Sequence, residues 1–128
     1  MKVRKFVRQT DVHVRPATNL REAANLMRRS GLSCLPVIAD GVVIAILTER
    51  DFVKAMAASD RPCDARAADY MSDGAVTVAL DDETAVAMAK MFAIGCRDLP
   101  VVDDRKLLGM ISARDVLAAR VQLSGVSV

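Results

Sequence analysis

Hydrophobic and polar positions alternate along this chain in two registers. Leu20, Ala23, Ala24 and Met27 recur at helical spacing, with Arg21, Glu22, Arg28 and Arg29 off that stripe, so an amphipathic helix is expected there. Thr18 or Asn19 can cap its start and Gly31 can end it. The β-branched runs "VHV" (Val12–Val14) and "VTV" (Val76–Val78) read as short strands. "CLPVI" and "LPVV" read as longer strands, with Pro36 and Pro100 near their starts, where a missing N–H is tolerated. Tight turns follow at Ala39-Asp40-Gly41 and Asp103-Asp104-Arg105, and then strands "VVIAILT" and "KLLGMIS". Glu49 to Ala58 and Ala113 to Gln122 read as closing helices. The matching helix of the second copy, ended by Gly95, takes Asp81 or Asp82 as its cap.

The order β-α-β-β-α therefore occurs twice, and the two copies superimpose without a gap at an offset of 64 residues. Val12 falls on Val76, Val14 on Val78, Ala23 on Ala87, Met27 on Met91 and Gly31 on Gly95. "LPV" at Leu35–Val37 falls on "LPV" at Leu99–Val101, Asp40 on Asp104, and Arg50-Asp51 on Arg114-Asp115. Two copies are too few for a solenoid, so the expected fold is α/β (α+β): a pseudo-symmetric pair packed through its sheets. The expected division is 1–61 and 62–128, with residues 59–66 as the linker. "VRKFVR" and "AADYM" add a helical turn ahead of each copy.

Composition narrows the function classes. Hydrophobic residues make up 52% of the 128, enough for a packed core. A net charge of +2, one Tyr, three Phe and no Trp argue against a nucleic-acid partner. No apolar run reaches the roughly 18 residues of a membrane span. The opening "MKVRKFVRQTDVHV" has neither an apolar h-region nor a small-residue cleavage site. Cys34, Cys63 and Cys96 form no C-x-x-C pair, which fits reduced thiols in the cytoplasm. His13 is the single histidine, and no Ser-His-Asp set, phosphate loop or metal cluster is present in the sequence, so no enzyme activity is expected.

The candidate chemistry sits where the third strand of each copy hands over to a helix. Thr48 and Ser112 can each accept a hydrogen bond from a first-turn N–H, beside the positive end of a helix dipole. Asp51 and Asp115 follow three residues later, where a carboxylate can accept from vicinal hydroxyls such as those of a ribose. Arg50 and Arg114 could meet phosphate. The same pattern also serves as a plain capping box, with no ligand.

The ordered set of repeat, "LPV" strand and "G/A-h-h-S/T-x-x-D" ending resembles the CBS domain, the cystathionine-beta-synthase type, over residues 2 to about 122. Two in tandem make a Bateman module. The resemblance implies a regulatory disc that binds an adenosine-containing ligand such as AMP, ADP, ATP, NAD or S-adenosylmethionine, with no cofactor required. It implies two clefts, each joining the Asp of one copy to the other copy. The first takes Thr48, Arg50 and Asp51, with Val76, Cys96 and Arg97; the second takes Ser112, Arg114 and Asp115, with Val12, Ser33 and Cys34. Glu49 beside Arg97 opposes phosphate charge in the first, so unequal affinities are expected. Ala45 stands where the second copy has Gly109, and its methyl is expected to narrow the first cleft.

The stretch "DETAVAMAKMFAIG" is apolar nearly all round, unlike its partner in the first copy. A helix apolar on every side is buried on every side. A homodimer is expected on this face, as the resemblance also implies, with an effector protein as a further partner. The competing reading is a ligand-free dimeric adaptor.

Overall fold

The computed structural model describes residues 1–72 and 74–125. A 3₁₀ turn at Val3–Lys5 leads into a two-residue strand β1 (Arg8–Gln9), helix α1 (Leu20–Ser30), strands β2 (Cys34–Ala39) and β3 (Val42–Thr48), and helix α2 (Glu49–Ala58). A second 3₁₀ turn, Pro62–Asp64, precedes α3 (Ala67–Tyr70), α4 (Thr84–Ile94), β4 (Asp98–Asp103), β5 (Lys106–Ser112) and α5 (Ala113–Leu123).

Each repeat is built on a β-hairpin. The expected turns are present: Asp40 and Gly41 have φ of 52° and 79°, and Asp104 and Arg105 have 48° and 66°. Two consecutive left-handed residues give the hairpin the twist of its strands. Asp and Gly tolerate that conformation readily, whereas Arg105 adopts it at some cost. The inward faces bury Leu35, Val37 and Leu47 in one repeat and Leu99, Val101 and Ile111 in the other, all fully. β2 lies against β4 and β3 against β5, so the repeats meet through their sheets as expected.

Two local expectations change, and a third is narrowed to one of its two candidates. "VHV" and "VTV" do not form strands; each contributes one parallel bridge, Val14 to Val37 and Val78 to Val101. Val14 N–H donates to Pro36 O and Ile38 N–H to Val14 O. The next inward donor would be residue 16, a proline, so the ladder stops. In the second repeat the Leu80 carbonyl is taken instead by Arg4 N–H. Asn19, not Thr18, caps α1, with its Oδ1 accepting from Glu22 N–H at 2.8 Å. Neither Asp81 nor Asp82 caps α4: Glu83 holds the N-cap position. Asp82 accepts from Ala79 N–H at 2.9 Å and closes the loop before the helix.

The leading segments cross between repeats. Val3, Phe6 and Val7 pack into the core of the second repeat, while Ala67, Tyr70 and Met71 pack into that of the first. β1 is the visible result, pairing Arg8 with Met110 and Gln9 with Gly109 on the edge of β5. Gly109 is required there, because a Cβ on it would lie 2.2 Å from the Arg8 carbonyl oxygen. The matching contact in the first repeat is looser. Ser72 N–H reaches Ile46 O at 3.2 Å, and Ala45 fits in the core at 1% exposure. The Ala45/Gly109 difference thus reflects how closely each arm approaches its sheet.

Helix α4 buries one face within the chain and leaves the other exposed. Thr84, Ala87 and Met91 face the core, while Val86 and Phe92 stand out at 43% and 91% exposure. The N-terminus holds only the start of this helix, through Thr84 N–H to Met1 O and ion pairs to Glu83.

Candidate functional site

The two strand-to-helix corners carry the same residues in different arrangements. At the first, Thr48 closes a capping box with Asp51 across the first turn of α2. Its N–H and O–H both donate to Asp51 Oδ2, at 2.8 and 3.1 Å. Asp51 is 6% exposed and turns inward on its own helix start. Arg50 lies against the end of α4, its guanidinium near Gly95.

At the second corner, Ser112 Oγ accepts from Arg114 N–H at 3.2 Å, so the hydroxyl caps the helix itself. Asp115 is left to turn outward. Arg8, carried by β1 from the far end of the chain, donates from Nε to Asp115 Oδ2 and from Nη2 to Oδ1, both at 2.8 Å. The carboxylate holds the Arg8 guanidinium above its ordinary pKa. Arg114 is exposed.

Between the corners the repeats are joined by a buried polar knot. Asp98 Oδ2 accepts from Ser33 N–H at 2.9 Å and Ser33 O–H at 2.7 Å, and Ser33 Oγ accepts from Arg97 N–H at 2.9 Å. Cys34 and Cys96 direct their thiols at the same Asp98 carbonyl oxygen, at 3.2 and 3.0 Å. Hydrogen bonding with Cys96, and then burial, push the Cys34 thiol well above its ordinary pKa. Ser33 and Cys34 are therefore fully buried and occupied in holding the repeats together. Arg97 extends outward to Glu49 Oε1 at 2.8 Å.

Three cavities bear on the expected clefts. One of about 320 Å³ is lined by Arg8, Gln9, Thr10 and Val12 of the arm, by Ser30 and Leu32, and by Asp98, Met110 and Ser112 of the second repeat. It brings together Val12 and Ser112 of the second expected set, with Asp115 tied to its wall through Arg8. The residues of the first set are spread more widely. Arg97 and Glu49 line an open cavity of about 520 Å³ between α1 and α2. The neighbours of Val76, Ala75 and Thr77, line another of about 300 Å³ with Val43 and Ile44. No group of His, Cys, Asp and Glu that could hold a metal ion occurs among the described residues. No helix among them is long and apolar enough to cross a membrane.

Sequence reasoning did not single out Arg8 or Asp98. The signal for Asp98 was an acid at the start of an otherwise apolar strand, where the first repeat has Cys34. The signal for Arg8 was Gly109, whose missing side chain marks a close backbone approach.

Two α-β-β-α halves, each preceded by a single bridging valine, join sheet to sheet with a cavity at a strand-to-helix corner and define a tandem α/β module. The CBS domain matches the chain twice, over residues 3–58 and 67–122, and the chain belongs to the CBS domain family as a tandem pair. An uncharacterized 17.7 kDa protein of Acidianus ambivalens is 38% identical over 108 residues, which cover 83% of this chain and 65% of that one. The crystal structure of the CBS-domain-containing protein ATU1752 from Agrobacterium tumefaciens superimposes with a TM-score of 0.76 at 32% identity, covering 88% of this chain and 90% of that one. The CBS pair of protein MJ0100, solved with 5-methylthioadenosine and S-adenosyl-L-methionine, shares the fold with a TM-score of 0.81 at 21% identity, over 94% of this chain and 99% of that one.

Proposed function

We propose that this CBS pair, divided as residues 1–61 and 62–128, is a non-catalytic sensor of an adenosine-containing ligand: AMP, ADP, ATP, NAD or S-adenosylmethionine. The observation that carries the reading is the 320 Å³ cavity at the β5–α5 corner, with Ser112 on its wall and Asp115 beside it. Its size suits a nucleoside. The positive end of the α5 dipole favours a phosphate near Ser112, and Asp115 can accept from a ribose diol. The adenine would lie among aliphatic side chains such as Val12, Leu32 and Met110. That a CBS pair of the same fold was solved with two adenosine-containing compounds supports the ligand class.

The first cleft is the weaker site in this reading. Asp51 already serves Thr48, and Glu49 already pairs with Arg97. Ligand in the second cleft would tie the arm and β2 side of one repeat to the β5–α5 corner of the other. The ligand shifts the module between states only by its difference in affinity for them. A homodimer and an effector protein would read that shift.

A thermal-shift panel of adenine nucleotides, NAD and S-adenosylmethionine tests this. A ligand at 100 times its dissociation constant should add about 2.7 kcal/mol of stability. An unchanged melting temperature across the panel overturns the sensor reading. It would favour the second reading, a ligand-free dimeric adaptor, for which the prior engagement of Asp51 and Asp115 speaks.

A further inference from the structure

We propose that Arg8 is a built-in occupant of the Asp115 carboxylate, which a ligand's diol displaces and whose release makes the second cleft select phosphorylated ligands. The inference deepens the sensor reading and rests on it. Asp51 and Asp115 occupy equivalent positions, yet Asp51 bonds its own helix start and Asp115 bonds Arg8 through both oxygens. Repeat position explains the difference: the residue matching Arg8 is Ser72, which has no charge to offer and turns its hydroxyl to Ile46 O. Only the second corner is gated in this way.

The gate has a fixed base and a free end. The backbone of Arg8 is paired to Met110, and Gly109 lets it approach closely. The Arg8 side chain is 75% exposed and can swing without disturbing the fold. A diol arriving at Asp115 must break two parallel charge-assisted bonds. A neutral nucleoside leaves the guanidinium with water alone. A phosphorylated one gives it a second bidentate partner, two oxygens of the phosphate, which arginine meets with its planar fork of donors. The displaced group stays tethered on the cavity wall that Ser112, the N-cap of α5, also lines.

Calorimetric titration of the full chain with adenosine and with AMP tests the gate, using the wild type, Arg8→Gln and Arg8→Lys. Parallel titrations of Asp115→Asn identify any signal from the first cleft. Removing the competitor should tighten adenosine binding up to about fivefold, the scale of an exposed ion pair. The same change should weaken AMP binding, so that the AMP-to-adenosine preference falls by about tenfold or more. Arg8→Lys should keep part of the AMP preference, because charge remains while the fork is lost. If adenosine and AMP bind but Arg8→Gln alters both alike or neither, the gate is wrong and the sensor reading stands. If the wild type binds neither at millimolar concentration, the gate is overturned, while the sensor reading is decided by the wider thermal-shift panel.

Discussion

Asp98 receives both the N–H and the hydroxyl of Ser33 on one carboxylate oxygen, across the junction of the two repeats. Both residues are nearly inaccessible to water, at 7% and 1% exposure. Asp98→Ala leaves two buried donors without a partner, and each unsatisfied group costs its desolvation. We expect a loss of about 3 kcal/mol in urea denaturation. Ser33→Ala should cost less, because Asp98 then keeps the Ser33 N–H. A double-mutant cycle should show strong coupling between the two positions, and additive effects would remove the junction from the list of what holds the repeats together.

The two corner carboxylates should respond differently when removed. Asp51→Ala deletes the acceptor for Thr48 N–H and O–H at the start of α2, and a lost helix cap costs about 1 kcal/mol. Asp115→Ala deletes only an exposed ion pair with Arg8, so the melting temperature should barely move. Ligand binding should show the reverse order, with Asp115→Ala removing the stronger site. Equal thermal losses from the two variants would contradict the asymmetry of the corners.

Much of this arrangement is legible in the residues, and the reason is that it is local. The 64-residue repeat, the hairpin turns at Asp40-Gly41 and Asp104-Arg105, and helices α1, α2 and α5 all depend on neighbours within a few positions. The sequence pattern could not show which repeat each arm packs against, since Val3 and Ala67 are apolar whichever core receives them. Arg8 and Asp115 stand 107 residues apart, and Ser33 and Asp98 stand 65 apart. Nothing periodic links such pairs. The first strand of the first copy stops short for a local reason: "VHV" has strand composition, but Pro16 withdraws the donor that would extend it.

Acid should loosen the N-terminal arm before it unfolds the core. The Arg4 guanidinium holds the Asp81 carboxyl below its ordinary value of 3.8, and Lys2, with the terminal ammonium, holds Glu83 below 4.5. A lowered folded-state pKa contributes stability above the unfolded value, and that contribution is lost as pH falls through the folded value. The effect should therefore set in below about pH 4.5. The amide resonances of Val3 and Arg4, which bond Asp82 O and Leu80 O, should shift there ahead of those in β3. These pairs are exposed, so half-molar salt should shrink the shift. A pH response of Val3 and Arg4 that is unchanged in Lys2→Ala and Arg4→Ala would dissociate it from these ion pairs.

The outer face of α4 and α5 carries the prediction for assembly. Phe92, Val86, Leu117 and Leu123 are exposed at 91%, 43%, 50% and 78%. Adjacent apolar side chains on two neighbouring helices mark a surface that another molecule covers. The expected occupant is a second copy, since a twofold interface buries the same patch on both partners. Phe92 is the largest of these groups and the most exposed, so it is the natural anchor. Phe92→Glu places two like charges near the twofold axis and should shift light-scattering mass from two chains to one at micromolar concentration. The monomer should keep its far-ultraviolet circular dichroism, because Phe92 makes no contribution to either core cluster. A wild-type mass of one chain at that concentration would leave the apolar face without the partner proposed for it.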